Sequence, residues 1–315
     1  MEKVVNQYSG NYILATKKVV KRRAGLSEST MGYVFILPWI IGFICFTLGP
    51  MLFSLVLSFC RWDLFKDLKF IGFENYINIF TDDQYALSGL RKTLTFVVFE
   101  VPFQLVISML VALLLNQKLK FVKTVRSLVY LPVVLSGAVA GQMWKFMYNQ
   151  DLGIFNYFLS IFNVQVPWIT DQKLALFSVG FTGLWAVGTS MILFIAALKL
   201  IPESYYEAAE IDGAGSVRKF FNITLPMLTP TILYNLITIM IAQFQCLAPF
   251  LVITGGGPAK STYVYSLYEF QTAFKYQRMG YASALSWVMF IIVLVITLVV
   301  MKSSKSWVFY ESERK

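Results

Sequence analysis

The stretch Ile201-Pro-Glu-Ser-Tyr-Tyr-Glu-Ala-Ala-Glu-Ile-Asp-Gly-Ala-Gly215, continued by Ser216-Val-Arg-Lys-Phe-Phe-Asn-Ile-Thr-Leu-Pro226, is a polar island between two long apolar runs. Ser204 and Glu207 have the spacing of a capping box, and Ala208 and Ala209 favour the helix it would open. Asp212-Gly213 ends that helix. Gly213 and Gly215 allow a turn through positive φ or a close backbone approach, after which Ser216 can cap a second short helix running to Leu225-Pro226. Two short helices joined by a glycine turn mix Tyr205, Tyr206, Ala208, Ala209 and Ile211 with acids. They form either a peg for a partner's groove, where small alanines permit close docking, or an interfacial hairpin that only connects two spans.

What flanks the island sets the class. Six apolar stretches run along the chain, at 33–60, 94–115, 125–148, 174–198, 226–253 and 283–301. A span needs about 20 apolar residues, so 315 residues accommodate all six and leave no room for a large soluble domain. Composition agrees: 57% of residues are hydrophobic and 14% charged, against about a quarter charged in soluble chains, and the mean hydropathy is +0.64. The expected fold is an all-α integral membrane protein of six transmembrane helices, with the island as a cytoplasmic loop between spans four and five. A basic N-terminal segment (1–32), the six-span domain (33–301, loop 199–225) and a short tail (302–315) would be its parts.

Several functions fall away at once. The chain has no histidine, which removes the commonest general base and the commonest metal ligand. Cys45, Cys60 and Cys246 lie in or beside apolar stretches without CxxC spacing and read as small buried hydrophobes. The net charge of +10 does not indicate nucleic acid, because the basic residues sit in short segments between apolar runs, where membrane orientation accounts for them. With the N-terminus inside, 17 of the 27 lysines and arginines fall on the cytoplasmic side. Most belong to two clusters, Lys17, Lys18, Lys21, Arg22 and Arg23 before the first span, and Lys118, Lys120, Lys123 and Arg126 between the second and third. Both termini are then cytoplasmic. The first apolar run is too long for a signal peptide and is expected to be retained; as a helix of about 42 Å it exceeds a hydrocarbon core of about 30 Å and must tilt, protrude or bend, with Gly49-Pro50 as the place to bend. The outer segments 61–93, 149–173 and 254–282 are either surfaces for an external partner or solvated connectors.

Within the island, Glu207-Ala208-Ala209, three residues, Gly213, nine residues, then Ile223, one residue and Leu225-Pro226 resemble the EAA loop of permease subunits from binding-protein-dependent ABC importers. Thr254-Gly-Gly-Gly-Pro258 and Gly280-Tyr-Ala-Ser-Ala284 are similar to the maltose-type (type I) carbohydrate permeases. The resemblance implies that the loop lies in a cleft of a cytoplasmic ATPase, with Glu207, Ala208, Ala209 and Gly213 making the coupling contact and Asp212 and Gly215 assisting. It further implies a second, homologous permease subunit forming a heterodimer, two ATPase subunits that bind ATP and Mg2+, an extracellular solute-binding protein, and a bacterial inner-membrane location. The chain itself would bind no cofactor and catalyse nothing.

A carbohydrate needs hydrogen-bonding groups for its hydroxyls and aromatic faces for its C–H surfaces. Thr182, Trp185 and Thr189, related by i, i+3 and i+7 in span four, are expected to lie on one helical face. Span five holds Asn235, Gln243 and Gln245, of which the last two face one cavity only if the helix unwinds near Pro249; span three adds Gln142 and Trp144. Aligned from family landmarks, the resemblance points to Val133 and Gly137, to Thr182, Trp185 and Thr189, and to Gln243 and Cys246. Several of these are not the family's polar residues, so a maltose-like pose does not carry over. Each polar residue has an alternative role in an interhelical hydrogen bond, and the tryptophans in packing or interface anchoring. Long outer segments and a cavity bearing Trp and Gln favour an oligosaccharide. Glu100, one turn from Gln104, is an intramembrane acid expected to lie shallow enough to reach the interface. Residues 255–262 imitate a phosphate-binding loop but lack its glycines and the preceding strand, and read as a turn at the outer mouth. The rival from another class is an ion-gradient-driven secondary transporter, which would usually carry midplane charges.

Overall fold

The computed structural model describes residues 28–65, 67–117 and 120–309, with side chains from Met31 onward. The N-terminal basic cluster, Lys118 and the end of the C-terminal tail lie outside these residues. Among the described residues, four helices are long and apolar enough to cross a membrane: Met31–Ser58, Gln84–Leu115, Ser216–Phe244 and Met279–Ser304. Two further stretches are bent pairs, Val122–Val134 with Gly137–Met147 at 102° and Ala175–Ala186 with Gly188–Leu200 at 46°, so the number of spans is four, or six if each pair is one span. Among the described residues the remaining regular structure is shorter helices and a two-stranded ribbon.

Residues up to Leu52 form one compact unit and those from Phe53 onward another. The described part of the first is α1 (Glu28–Phe43), a π turn at Ile44–Leu48, and the start of α2 (Gly49–Ser58). Gly49 N–H reaches Ile44 O, one residue further back than in an α-helix. Proline lacks an N–H and crowds the carbonyl four residues before it; the extra residue in the turn before Pro50 absorbs that conflict, so the sequence-expected bend takes the form of a π insertion. Cys45 lies exposed on this helix, not buried as expected.

In the second unit, β1 (Cys60–Arg61) pairs antiparallel with β2 (Lys69–Phe70), and α3 (Glu74–Thr81) closes on them through Asn75 Nδ2, which donates to Ser58 O at 2.8 Å and Cys60 O at 3.0 Å. Asp83 then opens α4 (Gln84–Leu115): its Oδ1 accepts from the amides of Tyr85 and Ala86. α4 therefore begins ten residues before the apolar stretch does, and part of the expected outer loop 61–93 is helix. At about 1.5 Å per residue, its 32 residues extend about 48 Å.

The third apolar stretch is broken where α5 (Val122–Val134) stops two residues after Pro132, Leu135 is extended, and Ser136 accepts from Val139 N–H to start α6 (Gly137–Met147). α7 (Ile154–Ser160) follows. α8 (Ala175–Gly183) passes through a 3-10 turn at Leu184–Ala186 into α9 (Gly188–Leu200). α10 (Glu203–Ile211) is the loop helix; α11 (Ser216–Lys219), a π turn at Phe220–Thr224 and α12 (Leu225–Phe244) form one continuous rod, with the π turn again just before a proline, Pro226. After a third π turn, at Phe250–Thr254, come α13 (Tyr265–Phe274) and α14 (Met279–Ser304). α4 is the central strut, packed on α8, α9, α12 and α13. One buried cluster gathers Phe96, Val101, Phe244, Phe250, Tyr265 and Leu285, and another gathers Ala112, Met191, Phe194, Leu198 and Leu228.

Candidate functional site

The loop helix α10 starts directly at Glu203. Pro202 occupies the capping position with extended ψ and offers no side-chain cap, so the Ser204/Glu207 capping box is not formed. A proline disfavours helical geometry in the residue before it, and the helix starts two residues earlier than a Ser204 cap would place it. The helix ends as the sequence indicates: Gly213, at φ +73°, follows Asp212, and the amides of Gly213 and Ala214 donate to the carbonyls of Glu210 and Ala209. This is a Schellman stop, which needs a residue at ease with positive φ. Gly215 has φ −71° and takes the capping position before α11, so Ser216 is the first helical residue, not the cap.

Two contacts fasten this peg to the long rod behind it. Tyr206 OH and Thr224 Oγ1 are 3.0 Å apart, and Lys219 Nζ lies 2.5 Å from Glu210 Oε1. On the free side, Glu207, Ala208, Asp212, Gly213 and Gly215 are exposed, and Ala209 is half-buried. Ile211 is 88% exposed and Val217 71%, an apolar pair left uncovered among the described residues.

The expected cargo residues are scattered over broken helices. Gln243 Nε2 donates to Gln104 Oε1 at 2.9 Å, joining α12 to α4. Thr182 is buried and its hydroxyl donates to Val179 O, while Thr189, beyond the 46° bend, is exposed. Trp185 is half-buried, edge-on to Trp144 with ring centroids 6.0 Å apart, and Trp144 is buried with no partner for Nε1 among the described residues. Gly137 lies where a Cβ would come within 3.0 Å of Ala248 Cβ, and Gln142 is exposed. The rod does unwind before Pro249: α12 ends at Phe244, Gln245 to Leu247 are not helical, and Ser266 Oγ donates to the freed Cys246 carbonyl at 2.6 Å. That satisfies a backbone acceptor that hydrocarbon could not.

Gln245 is thereby turned towards a cleft of about 700 Å³ between the end of α12, α13 and α14, whose polar lining includes Ser266, Glu269 and Ser286. Glu269 Oε1 accepts from Ser286 Oγ at 2.6 Å. Burial pushes the Glu269 carboxyl above its ordinary range, and the serine hydrogen bond partly offsets this. No sequence signal relates residues so far apart in the chain.

Glu100 is enclosed by protein. Because α4 begins at Gln84, the acid is in mid-helix, fully buried, and neither oxygen has a hydrogen-bond partner among the described residues. It faces Gly180 and Gly183 of α8; a Cβ on Gly183 would overlap Glu100 Oε1 and lie 3.7 Å from Gln243 Nε2. Glu100, Gln104 and Gln243 thus form one polar cluster where two broken helices meet. At the other end of α4, Asp83 Oδ2 accepts from Tyr268 OH and, at 2.6 Å, from Tyr281 OH, while Lys260 Nζ sits 3.4 Å above the Tyr85 ring. Burial, the largest cause, and neighbouring tyrosines push the Tyr263 hydroxyl beside them up to about 12.

Residues 86–304 match a family described as the binding-protein-dependent transport system inner membrane component. The chain is 43% identical over 300 residues to the probable ABC transporter permease protein YesP of Bacillus subtilis, covering 94% of this chain and 97% of that one. It is 32% identical over 281 residues to the trehalose/maltose transport system permease protein MalF of Thermococcus litoralis, covering 87% and 94%. A chain in the crystal structure of a bacterial alginate ABC transporter, in complex with an alginate pentasaccharide-bound periplasmic protein, shares the fold at TM-score 0.75 and 22% identity, over 88% of this chain and 95% of that one. Matched along most of its length and carrying apolar helices of spanning length, the chain belongs to the inner-membrane permease components of binding-protein-dependent ABC transporters, with sugar permeases among its relatives.

Proposed function

We propose that this chain is one of two permease subunits of an ATP-driven carbohydrate importer. In this reading each bent pair is one span, giving six. The positive-inside distribution of lysine and arginine puts both termini and the α10 peg in the cytoplasm. Residues 33–301 are the permease domain, flanked by the cytoplasmic segments 1–32 and 302–315. The peg, with Glu207, Ala208, Ala209, Asp212, Gly213 and Gly215, enters a cleft of a cytoplasmic ATPase, which holds ATP and Mg2+. Nucleotide-driven closure of two ATPases moves the pegs, and the rod Ser216–Phe244 carries that movement to the cargo cavity between this chain and a second, homologous permease. An extracellular solute-binding protein delivers the cargo. Differential contacts in two states supply the bias that alternating access requires.

The single observation that carries the reading is the peg itself: an exposed, glycine-stopped helix hydrogen-bonded and ion-paired to a continuous spanning rod. The relatives support a carbohydrate cargo and argue against ion-gradient coupling, although a buried mid-helix Glu100 is the kind of residue such a mechanism would use. Gln243, Gln245, Gln142, Thr182, Trp185, Thr189 and Gly137 line the path in this reading, and an oligosaccharide fits its Trp and Gln content.

The complete transporter, reconstituted with its binding protein in liposomes, tests the lever. Glu207→Arg and Gly213→Val should abolish cargo-stimulated ATP hydrolysis while both permeases still assemble. Stimulated hydrolysis and uptake that survive both substitutions would remove the peg from the mechanism.

A further inference from the structure

The first half of α4 presents one open face. Leu87, Arg91, Leu94, Thr95, Val98 and Phe103 recur at helical spacing and are all exposed. Two recesses lie along it. One, of about 500 Å³, is lined by Ser88, Arg91, Lys92 and Thr95; the other, of about 660 Å³, is lined by Arg91 and Thr95 again and by Leu94, Val98, Phe99, Phe103 and Phe177. Sharing Arg91 and Thr95, they form one groove with a cationic head and an apolar tail. Phe99 floors the tail, packed on Phe103 and, edge-on, on Phe177, with ring centroids 4.8 and 5.2 Å away.

The head carries positive charge without an answering acid. Lys92 Nζ donates to Ser88 Oγ at 2.8 Å, and among the described residues neither it nor Arg91 forms an ion pair. Cations on a spanning helix are costly unless paired or wetted at the interface. The dimensions of the groove match a lipid: from Arg91 to Phe103 is about 18 Å of helix, comparable with the roughly 15 Å hydrocarbon depth of one leaflet.

We propose that this groove binds an anionic phospholipid, its phosphate held by Arg91 and Lys92 with Ser88 and Thr95, and one acyl chain lying over Val98, Phe99, Phe103 and Phe177. Charge complementarity selects this occupant over a helix of the second permease, which would bury two unpaired cations against apolar side chains. The choice of leaflet follows from the orientation proposed above; the site itself does not depend on it.

The test is native mass spectrometry of the purified, assembled transporter exposed in turn to phosphatidylglycerol and phosphatidylcholine of equal chain length. Phosphatidylglycerol should be retained selectively, and Arg91→Gln with Lys92→Gln should weaken its retention about 30-fold. Val98→Trp, which fills the tail and leaves the charge unchanged, should also release it, while excess inorganic phosphate should not. Equal retention of both lipids, wild-type retention by the double variant, or displacement by inorganic phosphate alone would overturn the proposal. So would a photo-crosslinker at Val98 that captures the second permease and no lipid.

Discussion

Glu100 and Gly183 show how one missing side chain can permit another. The acid fills the space that a Cβ on Gly183 would need, whereas a Cβ on Gly180 would rest at an ordinary 3.4 Å from Glu100 Oε2. Gly183→Ala should therefore destabilise the assembled transporter by about 1–3 kcal/mol through overpacking, while Gly180→Ala stays within about 0.5 kcal/mol. Melting curves of the two variants check this, and adding Glu100→Ala should recover part of the Gly183→Ala loss. Equal melting temperatures for the two alanine variants would contradict the overlap. The sequence identified Glu100 as an unusual intramembrane acid but put it only a few residues inside its helix, because the start of α4 is set by Asp83 and not by the edge of the apolar run.

Asp83 is where three helices are tied together. One carboxylate oxygen caps α4, and the other accepts the hydroxyls of Tyr268 on α13 and Tyr281 on α14. Asp83→Ala removes a cap worth about 1 kcal/mol and leaves two tyrosine hydroxyls without their acceptor, for a total loss on the order of 3 kcal/mol. Asp83→Asn keeps the cap and should cost less; thermal unfolding orders the two variants, and an alanine variant as stable as the parent would refute the tie. Prolines lie near several other element boundaries, while Pro38, Pro102 and Pro230 lie inside helices. Pro50 and Pro226 each follow a π turn, and Pro202 caps α10 in place of the expected serine. Pro132 lies two residues before the end of α5, ahead of its 102° bend. The sequence shows where proline disturbs a helix, but whether the chain answers with a π turn or a sharp bend depends on what packs beside it.

For the molecule as a transporter, the decisive relation is between the peg and the rod. Tyr206 and Thr224 are 18 residues apart in sequence, and their hydroxyls meet at 3.0 Å. If the peg transmits force, loosening that joint should waste motion. Tyr206→Phe should leave assembly intact and raise the ATP consumed per cargo molecule imported; Thr224→Val should do the same, and the two together no more than either alone, since they remove one bond. Uptake and phosphate release measured in the same liposomes decide the matter, and an unchanged ratio would free the joint from any role in coupling.

The resemblance of the loop motif pointed to the family; apart from that, the linear order of residues was enough to indicate membrane residence, the six apolar stretches and the glycine-stopped peg. Each of these rests on composition or on spacings of a few residues, where local physics leaves little choice: apolar runs avoid water, and a left-handed backbone position favours glycine. Only the fold decided that Thr182 and Thr189 lie in different environments, that Gln104 meets Gln243, that Glu100 sits buried against glycines, and that Arg91 crowns an apolar groove. Those outcomes depend on helix breaks and on partners distant in sequence, and the energies that select among them come from packing between elements, which no short window of residues contains.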